Sequence, residues 1–197
     1  PVKLVPATAQ SLPVIEKNGQ VYTFKIKSGI YFTDDPAFKG KRRELVAEDY
    51  VYSIKRILDP KNHAPSFSFI DNKLVGANAL VEQANKTGQF NYDAKIEGVK
   101  ALDKYTIQFK LTQPDYNFPY ILAYSTFGAT AREVVEYYKD QLGMHPVGTG
   151  PYMLSRYVPR SKIELVANPD YRGFVWNFKS TGTAWDNQLV KQMSGKP

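Results

Sequence analysis

Reactive side chains are few in this sequence. There is no cysteine, and the two histidines, His63 and His145, lie in different segments. Disulfide frameworks, thiolate zinc sites and cysteine nucleophiles are thereby excluded, and any histidine base has to be one of these two. His63 follows a helix in the turn Asn62-His63-Ala64-Pro65 and reads as a surface histidine. His145 precedes Pro146, with no serine or acid placed to complete a triad. Asp34-Asp35 could act as an acid and a base, but adjacent carboxylates in a loop diverge, so a solvated loop is the stronger reading. Glu48-Asp49 reads as a pair of helix N-terminal charges. Gly148-Thr149-Gly150-Pro151 invites a phosphate-loop reading, yet it lacks a following Gly-Lys-Ser/Thr and leads into a strand, not a helix. Its glycines read as positions needing unusual backbone angles, at a structural corner with no bound phosphate. No catalytic residues, no metal ligands and no cofactor are expected.

Rings are the other candidates. Aromatics make up 14% of the chain, with 14 tyrosines. Most alternate into core faces, but Phe67, Phe69, Tyr116, Phe118 and Tyr124 fall in loop-like stretches, where rings often line ligand sites. Core packing remains the first reading of each. Charge adds less. Lys plus Arg number 26 against 19 for Asp plus Glu, a net +7. The only dense basic run, Lys39-Gly40-Lys41-Arg42-Arg43, is followed at once by Glu44, Glu48 and Asp49. It reads as a solvated loop, and no nucleic-acid signature accompanies it.

Elements must position these residues. The 197 residues, 43% of them apolar, suffice for one large domain or two small ones, and no apolar run approaches the ~18 residues of a membrane helix. Val21 to Lys27 alternates, with Tyr22, Phe24 and Ile26 on one face, and reads as a half-buried strand after the Asn18-Gly19 turn. Ala47 to Leu58 carries apolar residues at helical spacing, with acids in its first turn and bases in its last. Asp59-Pro60 ends it. Leu74 to Ala84 reads as a second helix and Ile96 to Leu111 as a hairpin turning at Asp103-Lys104. Arg132 to Leu142 is helical, and Tyr152–Leu154 pairs with Ile163–Val166. From Asn168 onward the chain reads as irregular, with Trp176 and Trp185 in a polar setting. The class is α+β or mixed α/β.

Several of these segments, in this order, resemble the family 5 extracellular solute-binding proteins, the dipeptide, oligopeptide and nickel-binding receptors of bacterial ABC importers. The matching stretches are Ala9 to Gly19 with Tyr22 to Phe32, Ala47 to Arg56 with Asp59-Pro60, and Val99 to Thr106. Pro146 to Tyr152 and Asn168-Pro169-Asp170-Tyr171 complete them, so that the likeness spans about residues 5 to 173. There are departures. The Asp34 to Arg43 loop is longer and more basic than the family's Asp-Gly turn. Val46 replaces the helix-capping threonine, which predicts a less well-capped helix. Residues 174 to 197 match no common family motif.

The resemblance implies a partial periplasmic-binding-protein-like fold of the class II, peptide-binding type. Residues 1–130 would form the smaller accessory domain of the first lobe and 131–197 part of its ligand-binding domain. The second lobe is missing. Both chain ends then read as cut, since neither a start methionine nor a closing element is present. The implied function is the solute-capture subunit of an ABC importer, a monomer in the periplasm or lipid-anchored outside a Gram-positive membrane. Its partners would be a peptide or similar small solute and a membrane permease, with no nucleic acid. The implied ligand contacts are Ser66, which stands where the family has an aromatic residue, its neighbours Phe67 and Phe69, and Tyr124 where two domains join. Two rivals remain open: a hydrolase using Asp34, Asp35 or His145, and a polyanion-binding module driven by the net charge.

Overall fold

The computed structural model describes residues 3–175 and 179–195. Trp176 lies outside them. Strands β1 (Val14–Glu16) and β2 (Val21–Lys25) join β3 (Val99–Asp103) and β4 (Thr106–Lys110) in one antiparallel sheet of order β1-β2-β4-β3. Register follows the alternation: Tyr22 faces Phe109 and Phe24 faces Ile107, so one face of the sheet is a continuous apolar surface. Phe109 and Tyr22 both lean on Phe118, at ring separations of 5.3 and 5.5 Å.

Helix α1 (Ala47–Leu58) covers that face. Val51, Ile54, Ile57 and Leu58 are all buried, and each such side chain contributes about 1.5–3 kcal/mol through burial. Its start is better satisfied than Val46 implies. The Asp49 carboxylate reaches back to accept from the Val46 N–H at 2.8 Å, and the Lys104 carbonyl accepts from the Ala47 N–H at 2.8 Å. The Asp49 N–H, which a threonine side chain at 46 would have capped, bonds the Val46 carbonyl at 3.1 Å instead, so no side chain caps the helix from position 46.

Helix α2 (Ala77–Thr87) begins three residues later than the sequence pattern places it. Leu74 instead pairs as a β-bridge with Leu111, and Gly76 takes a left-handed conformation that turns the chain into the helix. After the short α3 (Phe118–Leu122), α4 (Arg132–Tyr138) stops early, because Lys139 adopts a positive φ and the chain tightens into a 3-10 turn over Lys139–Met144. The apolar core extends through Phe127, Ala131 and Val134 without a break.

Strands β5 (Tyr152–Val158) and β6 (Lys162–Ala167) form a separate two-stranded hairpin. The stretch beyond it is not wholly irregular as expected. Thr183 caps a helix, α5 (Ala184–Met193), by accepting from the Asp186 N–H. Two further expectations fail. Gly148 and Gly150 need no unusual backbone angle: neither has a positive φ, and an added Cβ would meet open space at both. They serve through their carbonyls, which accept from the Thr33 N–H and the Asn168 side chain. The Asp34–Arg43 loop is not simply solvated either. A 3-10 turn over Pro36–Phe38 buries Ala37 and Phe38, and Arg43 pairs inward.

Candidate ligand-binding surface

Asp59 ends α1 through its backbone N–H, which donates to the Lys55 carbonyl, and starts the next turn with its side chain. Its Oδ1 accepts from the Lys61 N–H at 3.0 Å and its Oδ2 from the Tyr92 hydroxyl at 2.6 Å. Burial, and then this bond to a carboxylate, push the Tyr92 hydroxyl well above the ordinary tyrosine range. The chain so anchored makes a 3-10 turn at Pro65–Phe69 whose proline presets the backbone.

That turn sorts its residues. Ser66 is 5% exposed and Ile70 fully buried, and Phe67 lies half-buried against the core. Phe69 turns outward, 41% exposed, and stacks on Tyr124 with centroids 5.4 Å apart and planes 18° from parallel. Tyr124 is 58% exposed, fixed between α3 and a 3-10 turn whose Phe127 is buried. Of the four candidates, the fold therefore brings Phe69 and Tyr124 together as an outward-facing aromatic wall. Ser66 and Phe67 turn toward the core.

A cavity of about 450 Å³ adjoins Tyr124, walled by Leu12, Phe24, Ile107, Leu122 and Phe127 among others. Its polar groups are few, and one pair is already satisfied: the Thr8 and Tyr50 hydroxyls are 2.6 Å apart. The stretch between Pro6 and Pro13 forms one rim, and no residue there stood out as a ligand contact in the sequence. The two bracketing prolines were the only signal. Such a surface can stack planar groups and bury apolar ones.

The would-be acid–base residues are engaged elsewhere. Asp35 accepts from the Ala37 N–H and from the Tyr138 hydroxyl, at 2.8 and 2.9 Å. His145 stacks on the Tyr138 ring at 3.9 Å. Asp34, Asp35 and His145 thus form no nucleophile–base pair. Among the described residues, no three or more histidine, cysteine or acidic side chains gather where they could hold a metal ion.

Comparison with known proteins gives a consistent result. The model of the bacterial extracellular solute-binding proteins, family 5, middle region, matches residues 3–190, past the last motif and into α5. The chain is 31% identical over 174 residues to Di/tripeptide-binding protein 2 of Pseudomonas aeruginosa, covering 85% of itself and 30% of that protein. It is 28% identical over 179 residues to the probable ABC transporter periplasmic-binding protein SapA of Escherichia coli, covering 86% and 29%. Among solved structures, a periplasmic oligopeptide-binding protein of Borrelia burgdorferi matches with a TM-score of 0.67 and 28% identity, over 85% of this chain and 31% of that one. The Helicobacter pylori binding protein DppA in complex with the peptide STSA matches with a TM-score of 0.60 and 26% identity, over the same shares. The chain spans about 30% of the length of these relatives.

Proposed function

The chain belongs to the bacterial extracellular solute-binding proteins of family 5, and from that membership we propose that it serves peptide capture for an ABC importer. The observation that carries the reading is the Phe69–Tyr124 wall beside an apolar cavity, assembled from segments 55 residues apart. Exposed stacked rings held by buried neighbours are a prepared contact for a ligand side chain, since little ordering remains to be done on binding. The mechanism is capture and release by closure: ligand stabilises the closed state by its differential affinity for it, and no bond is made or broken.

The partners under this reading are a short peptide and a membrane permease. The place of action is the periplasm or the outer face of the membrane, and the protein works as a monomer. Residues 1–130 act as one accessory unit, with 131–197 part of the neighbouring ligand-binding domain. The hydrolase alternative loses its support because Asp35 and His145 already hold structural contacts.

A tripeptide titration followed by NMR tests the proposal. Adding Ala-Phe-Ala to the labelled chain is expected to shift the Phe69 and Tyr124 ring signals together and saturably. Phe69→Ala or Tyr124→Ala is expected to weaken that response about tenfold, the worth of one lost aromatic contact. Shifts confined to other surfaces, or a response indifferent to both substitutions, would overturn it.

A further inference from the structure

A cleft of about 810 Å³ lies between α1, the 92–101 stretch and α4, and shares no lining residue with the cavity beside Tyr124. One of its residues is unusual. Lys55, on the inner side of α1, is only 5% exposed. Its ammonium donates to the Tyr92 carbonyl at 2.8 Å, and among the described residues it has no carboxylate at ion-pairing distance. An ammonium on so covered a side chain, with a single carbonyl partner, keeps two donors unmatched and no ion-pair partner, a state proteins rarely leave unanswered. Burial depresses its pKa accordingly, with Glu48 and Asp93 too distant to bond it and acting only through their fields.

We propose that this cleft is a binding site for a small organic monocarboxylate, whose anionic head completes the hydrogen bonding of Lys55. The walls select that chemistry. Tyr52 and Tyr92, with rings 5.3 Å apart, offer an apolar flank for the carbon body. Arg132 also lines the cleft but is already taken by Asp93 and Glu136, at 2.5 and 2.6 Å, so the ligand's charge falls to Lys55. Lys95 and Lys100 at the rim are exposed and add a weak attraction. A dianion fits less well, because Glu48 lines the same cleft without a cation at ion-pairing distance among the described residues and repels a second negative charge. The site stands independently of the peptide reading.

Lysine side-chain NMR of the 197-residue chain tests this at constant ionic strength, with phenylacetate, acetate and inorganic phosphate as probes. Phenylacetate is expected to move the Lys55 signal saturably while exposed lysines respond only linearly. Acetate, lacking the ring, and phosphate are each expected to bind about tenfold more weakly. Read on the Tyr52 and Tyr92 ring signals of the same cleft, Lys55→Met keeps the apolar stem and is expected to abolish saturation. Should that variant fail to fold, Glu48→Gln decides: removing an exposed neighbouring negative charge is expected to tighten phenylacetate about twofold. The proposal is overturned if the Lys55 signal does not saturate, if saturation survives Lys55→Met, if phosphate binds as tightly as phenylacetate, or if Glu48→Gln leaves the affinity unchanged.

Discussion

Arg43 ties three segments together with one guanidinium. It donates to Asp49 at the start of α1, to Glu133 on α4 at 2.8 Å, and to the Glu44 carbonyl. Asp49 is 3% exposed, and its burial raises its pKa, so it depends on that partner to remain ionised. Arg43→Leu is expected to destabilise the fold by about 2 kcal/mol in urea denaturation, less than for a fully buried pair because the guanidinium is partly wet. Glu44 works in the opposite direction. The Lys104 ammonium, the Gly29 N–H and the Tyr105 hydroxyl bond its carboxylate and hold it down at about 2. A carboxylate depressed by folding contributes its stability above the unfolded value near 4.5 and loses it as pH falls toward 2. Melting temperatures recorded across that window are expected to fall more steeply for the parent chain than for Glu44→Gln, and parallel curves would refute the assignment. None of this was legible in the sequence, where Arg43 read as the end of a solvated basic run. Its partner Glu133 lies 90 residues away, and no local pattern encodes such a pairing.

At the scale of elements, the glycines divide by what surrounds them. A Cβ on Gly98 would lie 2.6 Å from the Val75 nitrogen and 2.7 Å from its carbonyl oxygen, and backbone there cannot yield because Gly98 and Val75 hydrogen-bond each other at 2.7 Å. Gly98→Ala is therefore expected to cost about 2 kcal/mol, whereas Gly148→Ala and Gly150→Ala should stay within about 0.5 kcal/mol. Thermal unfolding of the three variants side by side checks the contrast; equal losses would count against it. The sequence drew attention to the wrong pair, since Gly-Thr-Gly-Pro looks like a motif and Glu97-Gly98-Val99 does not. What was legible were the elements whose own periodicity matches their burial. The bounds of α1 follow from helical spacing alone, and the β3–β4 turn, at Lys104-Tyr105, lies one residue beyond the Asp103-Lys104 position that alternation gives. Elements without a buried face were harder to read. Helix α5 has no buried residue, so its sequence carries little apolar periodicity and reads as irregular. At the candidate site, sequence supplied Phe69 and Tyr124 as separate rings. Only the fold stacks them.

For the whole molecule, burial is uneven. The four-stranded sheet and α1 share one dry core, while the β5–β6 hairpin leaves Tyr152, Ile163 and Leu165 more than half exposed. An isolated two-stranded hairpin is marginal in water, so its amides are expected to exchange with solvent much faster than those of β2 and β4. Ligand affinity should show the same unevenness. A receptor that closes on its ligand gains affinity from both walls; this chain spans about 30% of its relatives' length, and under the proposed reading the wall it supplies is Phe69–Tyr124. With only that wall, much of a bound peptide keeps its water, and each Å² of apolar surface left uncovered forgoes ~25 cal/mol. A shortfall of roughly 160 Å² amounts to about 4 kcal/mol, or close to a thousandfold in affinity. Calorimetry with a single tripeptide should accordingly find this chain at least about a thousandfold weaker than the complete Pseudomonas aeruginosa Di/tripeptide-binding protein 2. The stretch of that relative that aligns with this chain over 174 residues, prepared alone, should lose affinity to a similar degree, which separates missing enclosure from a mere difference in preferred peptide. If either short chain bound as tightly as the complete relative, the site would lie wholly within this third of the family's length, and closure between two walls would not be the source of affinity.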